Sequence, residues 1–82
     1  MDREEILRRV IDVVSDVLGV PVAQIEEESE FVKDLGAESI QSLELVAAFE
    51  EEFGIEMAEE AALQVQSVGE AVDFIAGYLA EE

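Results

Sequence analysis

An all-α fold, a small bundle of three longer helices and one short helix, is predicted by three observations on these 82 residues. Apolar residues recur at three- and four-residue spacing in separate stretches, which places them on one face of a helix. Start and stop signals bracket those stretches, with Asp2 and Ser67 as caps and Gly19 and Gly54 as terminators. Half of the residues are hydrophobic, enough for one modest core and too many for a disordered acidic tail. There is no internal repeat, low-complexity tract or linker, so residues 1–82 are expected to form a single domain.

The first helix is expected from Arg3 to Leu18. Ile6, Leu7, Val10, Ile11, Val14, Val17 and Leu18 mark its buried face, Asp2 caps it with Glu5 at capping-box spacing, and Gly19-Val20-Pro21 ends it. Pro21 to Ala37 then form a long connection with a short helical turn at Val22 to Ile25. Phe31, Val32 and Leu35 are apolar enough to tie this connection down across the bundle, side chains inward. The second helix is expected from Ser39 to Phe53, before Gly54. Leu45, Val46, Phe49 and Phe53 form its wider apolar stripe and face the core, whereas Ile40, Leu43 and Ala47 fall on a neighbouring face that is either core edge or docking ridge. A third helix, Glu59 to Val65, is too short to persist alone and contributes Ala61, Ala62, Leu63 and Val65 to packing. Ser67-Val68-Gly69-Glu70 is a capping box, after which Val68, Ala71, Val72, Phe74, Ile75, Tyr78 and Leu79 supply the last apolar face. Ala80-Glu81-Glu82 is expected to fray.

Charge narrows the function classes. With 4 basic against 22 acidic residues, the net charge of -18 favours solubility and argues against nucleic acid or an anionic membrane as partner. Basic protein surfaces are the natural counterpart. Arg3, Arg8, Arg9 and Lys33 all precede Asp34, so the second half of the chain has no positive side chain. Histidine and cysteine are absent, which removes the usual serine activator, the cysteine nucleophile and the ordinary zinc ligands. A self-contained hydrolase is therefore not expected. No metal site is expected either: the carboxylates lack the register of a calcium loop, and Gly36 lacks the partners of a phosphate-cradling loop. No apolar run reaches the roughly 18 to 20 residues that span a bilayer, and no export signal core follows the amino terminus. A cytoplasmic protein is expected.

One hydroxyl stands out from this background. Ser39 lies where a glycine-containing turn becomes a helix, and a helix start offers unpaired N–H groups and the positive end of the macrodipole to an attached anion. By position alone it is a helix-starting residue. Ser42, one turn inside, reads as a tolerated polar position, Ser67 as a cap and Ser29 as a loop residue.

The run Asp34-Leu35-Gly36-Ala37-Glu38-Ser39-Ile40, followed by Glu44-Leu45-Val46 and Glu50-Glu51-Glu52-Phe53, resembles the acyl carrier proteins, whose signature is D-L-G-x-D-S-L before an acidic amphipathic helix. The resemblance covers nearly the whole chain, including the Phe31-Val32-Lys33-Asp34-Leu35 approach and the closing Val68 to Ile75 segment. Glu38 and Ile40 stand where the family usually has Asp and Leu. The resemblance implies an acyl-carrier-like bundle, monomeric, with 4'-phosphopantetheine donated from coenzyme A and joined to Ser39 by a phosphopantetheinyl transferase. It implies acyl thioesters presented to basic-surfaced synthases, reductases and acyltransferases, in fatty-acid or specialised acyl or polyketide biosynthesis. Candidate partner-binding residues are Glu38, Ile40, Leu43, Glu44, Ala47, Glu50 and Glu51, and the candidate acyl-chain pocket is Val46, Phe49, Leu63 and Phe74. An aminoacyl or peptidyl carrier, or an unmodified acidic interaction module, is the alternative reading.

Overall fold

Asp2 opens the first helix by a local exchange: its side chain accepts the Glu5 N–H at 2.9 Å, satisfying one of the amides that a helix start leaves unpaired. α1 runs Arg3–Leu18 and closes at Gly19, whose left-handed φ of 70° brings its N–H to the Ser15 carbonyl at 2.9 Å. The computed structural model describes residues 1–80, and the remaining elements are a 3-10 turn at Val22–Gln24, α2 at Ser39–Phe53, α3 at Glu59–Ala62 and α4 at Val68–Ala80. The expected bundle of three longer helices and one short helix is thus present, with α1 and α2 at their expected bounds. Ala80 belongs to α4, whereas Glu81 and Glu82, the other residues expected to fray, lie outside the described residues.

Packing centres on α1. Ile6, Val10, Val13 and Val14 are buried along it, and α2 and α4 both lie against it without a comparable approach to each other. Val13 is outside the stripe expected from spacing; it is buried because α1 is covered from two sides and needs a wider apolar face. α2 contributes Leu45, Val46, Phe49 and Phe53, the wider stripe as expected, and α4 contributes Val68, Ala71, Val72 and Ile75.

The long connection is stitched to the segment before α4 by backbone bonds. The Phe31 N–H donates to the Gln66 carbonyl at 2.9 Å, the Val68 N–H to Ser29 at 3.0 Å and the Gly69 N–H to Glu27 at 2.8 Å, with one isolated antiparallel bridge between Glu30 and Ser67. Gly69 fits this seam because it lacks a side chain: a Cβ there would stand 3.0 Å from Glu27 Cγ. Ser67 performs its expected capping, its Oγ accepting the Glu70 N–H at 3.2 Å while Glu70 Oε1 accepts the Ser67 N–H at 3.1 Å.

Two packing expectations are corrected. Val32 is 65% exposed, whereas Phe31 is buried and Leu35 packs against the core. Residues 31–35 form a turn, and on a turn Phe31 and Leu35 share a face that Val32 cannot share. The third helix ends at Ala62 and not at Val65, since carbonyl bonding tightens from Ala58 and Glu59, which accept from Ala62 and Leu63, to Ala61 and Ala62, which accept from Gln64 and Val65. Ala62 is buried and Val65 packs against the core, but Ala61 is exposed and Leu63 is 44% exposed.

Two of the four basic residues clamp the bundle ends. Arg3 reaches Glu27 at 2.7 Å and Asp73 at 3.0 Å, tying the start of α1 to the long connection and to α4, and these hydrogen bonds raise the pKa of its guanidinium further. Arg9 donates to the Glu52 carboxylate at 2.8 Å and to the Glu52 carbonyl at 2.9 Å, and lies 5.0 Å from the centre of the Phe53 ring. Ile6, buried on α1 at 2% exposure, is the position where packing is most directly tested. Ile6→Ala is expected to lower the unfolding free energy by about 2 to 5 kcal/mol in urea denaturation.

Candidate functional site

The residues before Ser39 build a rigid turn. Asp34 Oδ2 accepts the Glu30 N–H at 2.7 Å, the Leu35 N–H donates to the Glu30 carbonyl at 3.1 Å, and the Ala37 N–H returns to the Phe31 carbonyl at 2.8 Å. Gly36 turns the chain with a φ of 71°, a conformation that residues with a side chain adopt rarely. Ala37 is buried and anchors the turn from below. The chain then enters α2 through an extended Glu38, whose N–H is taken by Gln41 Oε1 at 2.9 Å. Ser39 follows as the first helical residue, exposed to solvent. Asp34, Gly36, Ala37 and Glu38 therefore each have a local task, and the product is one accessible hydroxyl fixed at a helix start.

The Ser39 hydroxyl has no histidine to activate it, and no cluster suited to a metal ion occurs among the described residues. What the site offers is an attachment oxygen and an electrostatic setting. Amides at the α2 start and its dipole favour an anion there.

The face of α2 beyond Ser39 is solvent-facing. Ile40 is 66% exposed, Leu43 is 46% exposed and Ala47 is exposed, so this stripe is a ridge and not a core edge. At about 100° per residue, Ile40 and Ala47 nearly coincide, Leu43 lies to one side and Glu44 and Glu51 to the other. Glu38, Glu44 and Glu51 are exposed. Glu50 is half-buried, and its Oε2 accepts the Met57 N–H at 2.8 Å, so this carboxylate also fixes the segment leading to α3. On the other side of that segment the Tyr78 hydroxyl accepts the Ala58 N–H at 2.9 Å, and Tyr78 packs edge-on against Phe74 with ring centres 5.2 Å apart.

Between α2 and α4, where neither helix closes on the other, lies a cavity of about 430 Å³. Val46, Phe49, Leu63 and Phe74 all line it, so the four residues singled out from sequence are brought together. Leu45, Met57 and Ile75 add to its apolar wall, and Lys33, Ser42 and Gln66 also border it. Its volume falls in the range of about 300 to 1,000 Å³ typical of small-ligand pockets. Ser42 is the residue that sequence reading passed over: it stands one turn beyond Ser39 and one turn before Val46, which links the exposed hydroxyl to the cavity wall. That i, i+4 relation to Val46 was the available signal. Val32 and Lys33 also border the cavity, and nothing in their spacing indicated it.

Comparison with known proteins places the chain among relatives of one kind. A family model described as "Phosphopantetheine attachment site" matches residues 8–75. An acyl carrier protein of Clostridium acetobutylicum is 43% identical over 76 residues, covering 93% of this chain and 99% of that protein. One from Prochlorococcus marinus is 47% identical over 75 residues, covering 92% and 94%, and one from Sinorhizobium fredii is 48% identical over 71 residues, covering 87% and 91%.

Exposure of the α2 ridge leads to a stability test. Leu43→Ala is expected to change unfolding free energy by about 0.5 kcal/mol or less, as at other surface positions, whereas Phe49→Ala should cost about 3 to 5 kcal/mol. Urea denaturation of the two variants checks the contrast.

Proposed function

The chain belongs to the acyl carrier protein family, and on that premise we propose that Ser39 is the residue joined to 4'-phosphopantetheine, with residues 1–82 acting as one carrier domain. Members of this family are carriers and not catalysts. The observation that carries the assignment to Ser39 is its exposed hydroxyl at the first position of α2, held by the Gly36 turn and one helical turn from a residue of the cavity wall. The surroundings fit a phosphodiester: the oxygen is accessible, and the helix start stabilises an anion attached to it. When attached, the arm supplies a thiol that holds an acyl group as a thioester.

The chain's own residues then have three tasks. Ser39 provides the oxygen, and because no histidine is present to take its proton, the base for attachment comes from the phosphopantetheinyl transferase. Val46, Phe49, Leu63 and Phe74 shelter the acyl chain, each methylene removed from water contributing about 0.8 kcal/mol. Their apolar character favours an aliphatic acyl group over an aminoacyl one. Ile40, Leu43 and Ala47 give partners a small apolar contact, with Glu38, Glu44 and Glu51 as a charged rim and Glu50 beside it.

Such a surface suits a monomeric, cytoplasmic carrier that meets many basic-surfaced synthases, reductases and acyltransferases in turn, because charge steers encounter while a small apolar area permits release. Among the described residues no helix is long and apolar enough to cross a membrane. Tethering raises the cargo's local concentration at each partner without releasing it to solvent.

Incubation with coenzyme A and a broad-specificity transferase should add one phosphopantetheine to the wild-type protein, as read by intact mass, and none to Ser39→Ala. Modification that persists in Ser39→Ala would sink the assignment. For partner encounter, Glu44→Lys with Glu51→Lys should slow association and reduce its salt dependence, since the Debye length falls from about 10 Å at 0.1 M to about 3 Å at 1 M. Leu43→Ala should instead speed dissociation, and stopped-flow kinetics with a cognate synthase separate the two effects.

A further inference from the structure

After Arg9 the sequence contains a single basic residue, Lys33, and that residue borders the cavity between α2 and α4. Arg3 and Arg9 are engaged in ion pairs, whereas Lys33 is exposed and has no ion-pair partner among the described residues. Its position is set by the rigid turn that also sets Ser39: the Asp34 side chain and the Gly36 N–H bond back across it to Glu30 and Val32. A lysine at the edge of an apolar hollow lays its hydrocarbon stem on the wall and keeps its ammonium at the water boundary.

We propose that Lys33 is a specificity-determining residue for cargo: its ammonium receives the distal carboxylate of a short dicarboxylic acyl group and holds it at the cavity mouth, while neutral aliphatic chains pass to the apolar floor. This rests on Ser39 being the attachment residue. The charge balance carries the argument. On a chain of net charge -18, a cargo carboxylate finds no other cation from Val10 onward. Glu30 on the cavity border, Asp34 next in the chain and Glu38 beside Ser39 all repel it. Entry into a wall of Phe49, Phe74 and Ile75 without a counter-charge is strongly disfavoured. Among the cations of the described residues Lys33 alone borders the cavity, and there such a group gains an opposite charge and stays hydrated. An exposed pair of this kind is weak, so the cargo remains free to leave for a partner's active site.

The test uses the loaded protein. Wild type and Lys33→Met are charged by a transferase with succinyl or butyryl phosphopantetheine, and intact mass with Ser39→Ala as control establishes loading at Ser39. The distal succinyl carboxylate, labelled with carbon-13, is then titrated by NMR at low salt. Its acid dissociation constant is expected to be about two- to fivefold larger in wild type than in Lys33→Met, the effect of one exposed charge pair. Lys33→Arg should retain the wild-type value and Lys33→Glu should lower the constant further. Equal constants in wild type and Lys33→Met on a correctly loaded protein would overturn the role of Lys33 and leave the carrier reading standing. Loading that does not depend on Ser39 would overturn both. A phosphorus-31 shift of the cargo-free arm that changes on Lys33→Met, with no change in the succinyl titration, would assign the cation to the phosphodiester and overturn the cargo role.

Discussion

The burial of α1 against two helices that do not close on each other is the constraint from which the rest of the structure follows. α2 and α4 each satisfy their apolar faces on Ile6, Val10, Val13 and Val14, and once seated there they stand apart. Protein interiors ordinarily fill such gaps to crystal-like density. Here the space is bordered by Phe31 from the long connection and Met57, Ala62 and Leu63 from the α3 region, and a cavity of about 430 Å³ persists. α3 is too short to be stable alone, and it is held from its N-terminal side by a carboxylate and a phenol, Glu50 on Met57 and Tyr78 on Ala58. The cavity wall on that side thus depends on two side-chain hydrogen bonds and on the burial of Met57 and Ala62.

Electrostatics divides the molecule in the same way. Arg3 and Arg9 spend their charge on α1, joining it to Glu27, Asp73 and Glu52 across the bundle. These pairs are partly exposed, so their contribution lies in fixing how the ends of the elements meet more than in raw stability. Glu44 and Glu51 on the outer face of α2 have no ion-pair partner among the described residues, and with Glu38 they keep a negative field around Ser39, Ile40, Leu43 and Ala47. A surface of this composition is suited to rapid, salt-sensitive encounter with basic partners.

The sequence made the capped elements legible and left the uncapped ones blurred. α1 and α2 begin and end where Asp2, Gly19, Ser39 and Gly54 said they would, because those residues fix backbone geometry locally. α3 has no such terminator, and its tightening to shorter-range bonds after Ala62 depends on how the chain must turn to reach Ser67. Val32 was misplaced for a related reason: hydrophobicity indicates a wish for burial, but the turn that decides its direction is closed by Asp34 and Gly36, whose bonding partners are not visible in composition. At the site, the motif singles out Ser39, which stands exposed at the start of α2, and the four apolar residues singled out with it all border the cavity. Ser42 is marked only by its i, i+4 relation to Val46 and Lys33 by nothing in its spacing, because the cavity they border arises from the separation of α2 and α4, a property of tertiary packing.

The central claim is that the gap left by α1 packing is the shelter for a chain tethered at Ser39. It is tested most directly by isotope-filtered NOE spectroscopy on protein carrying a saturated acyl group on the Ser39 arm. The account predicts contacts from the acyl methylenes to the rings of Phe49 and Phe74 and to the methyls of Val46 and Ile75. Acyl protons that show contacts only to the arm itself, or to the exposed ridge of Ile40 and Leu43, would contradict it.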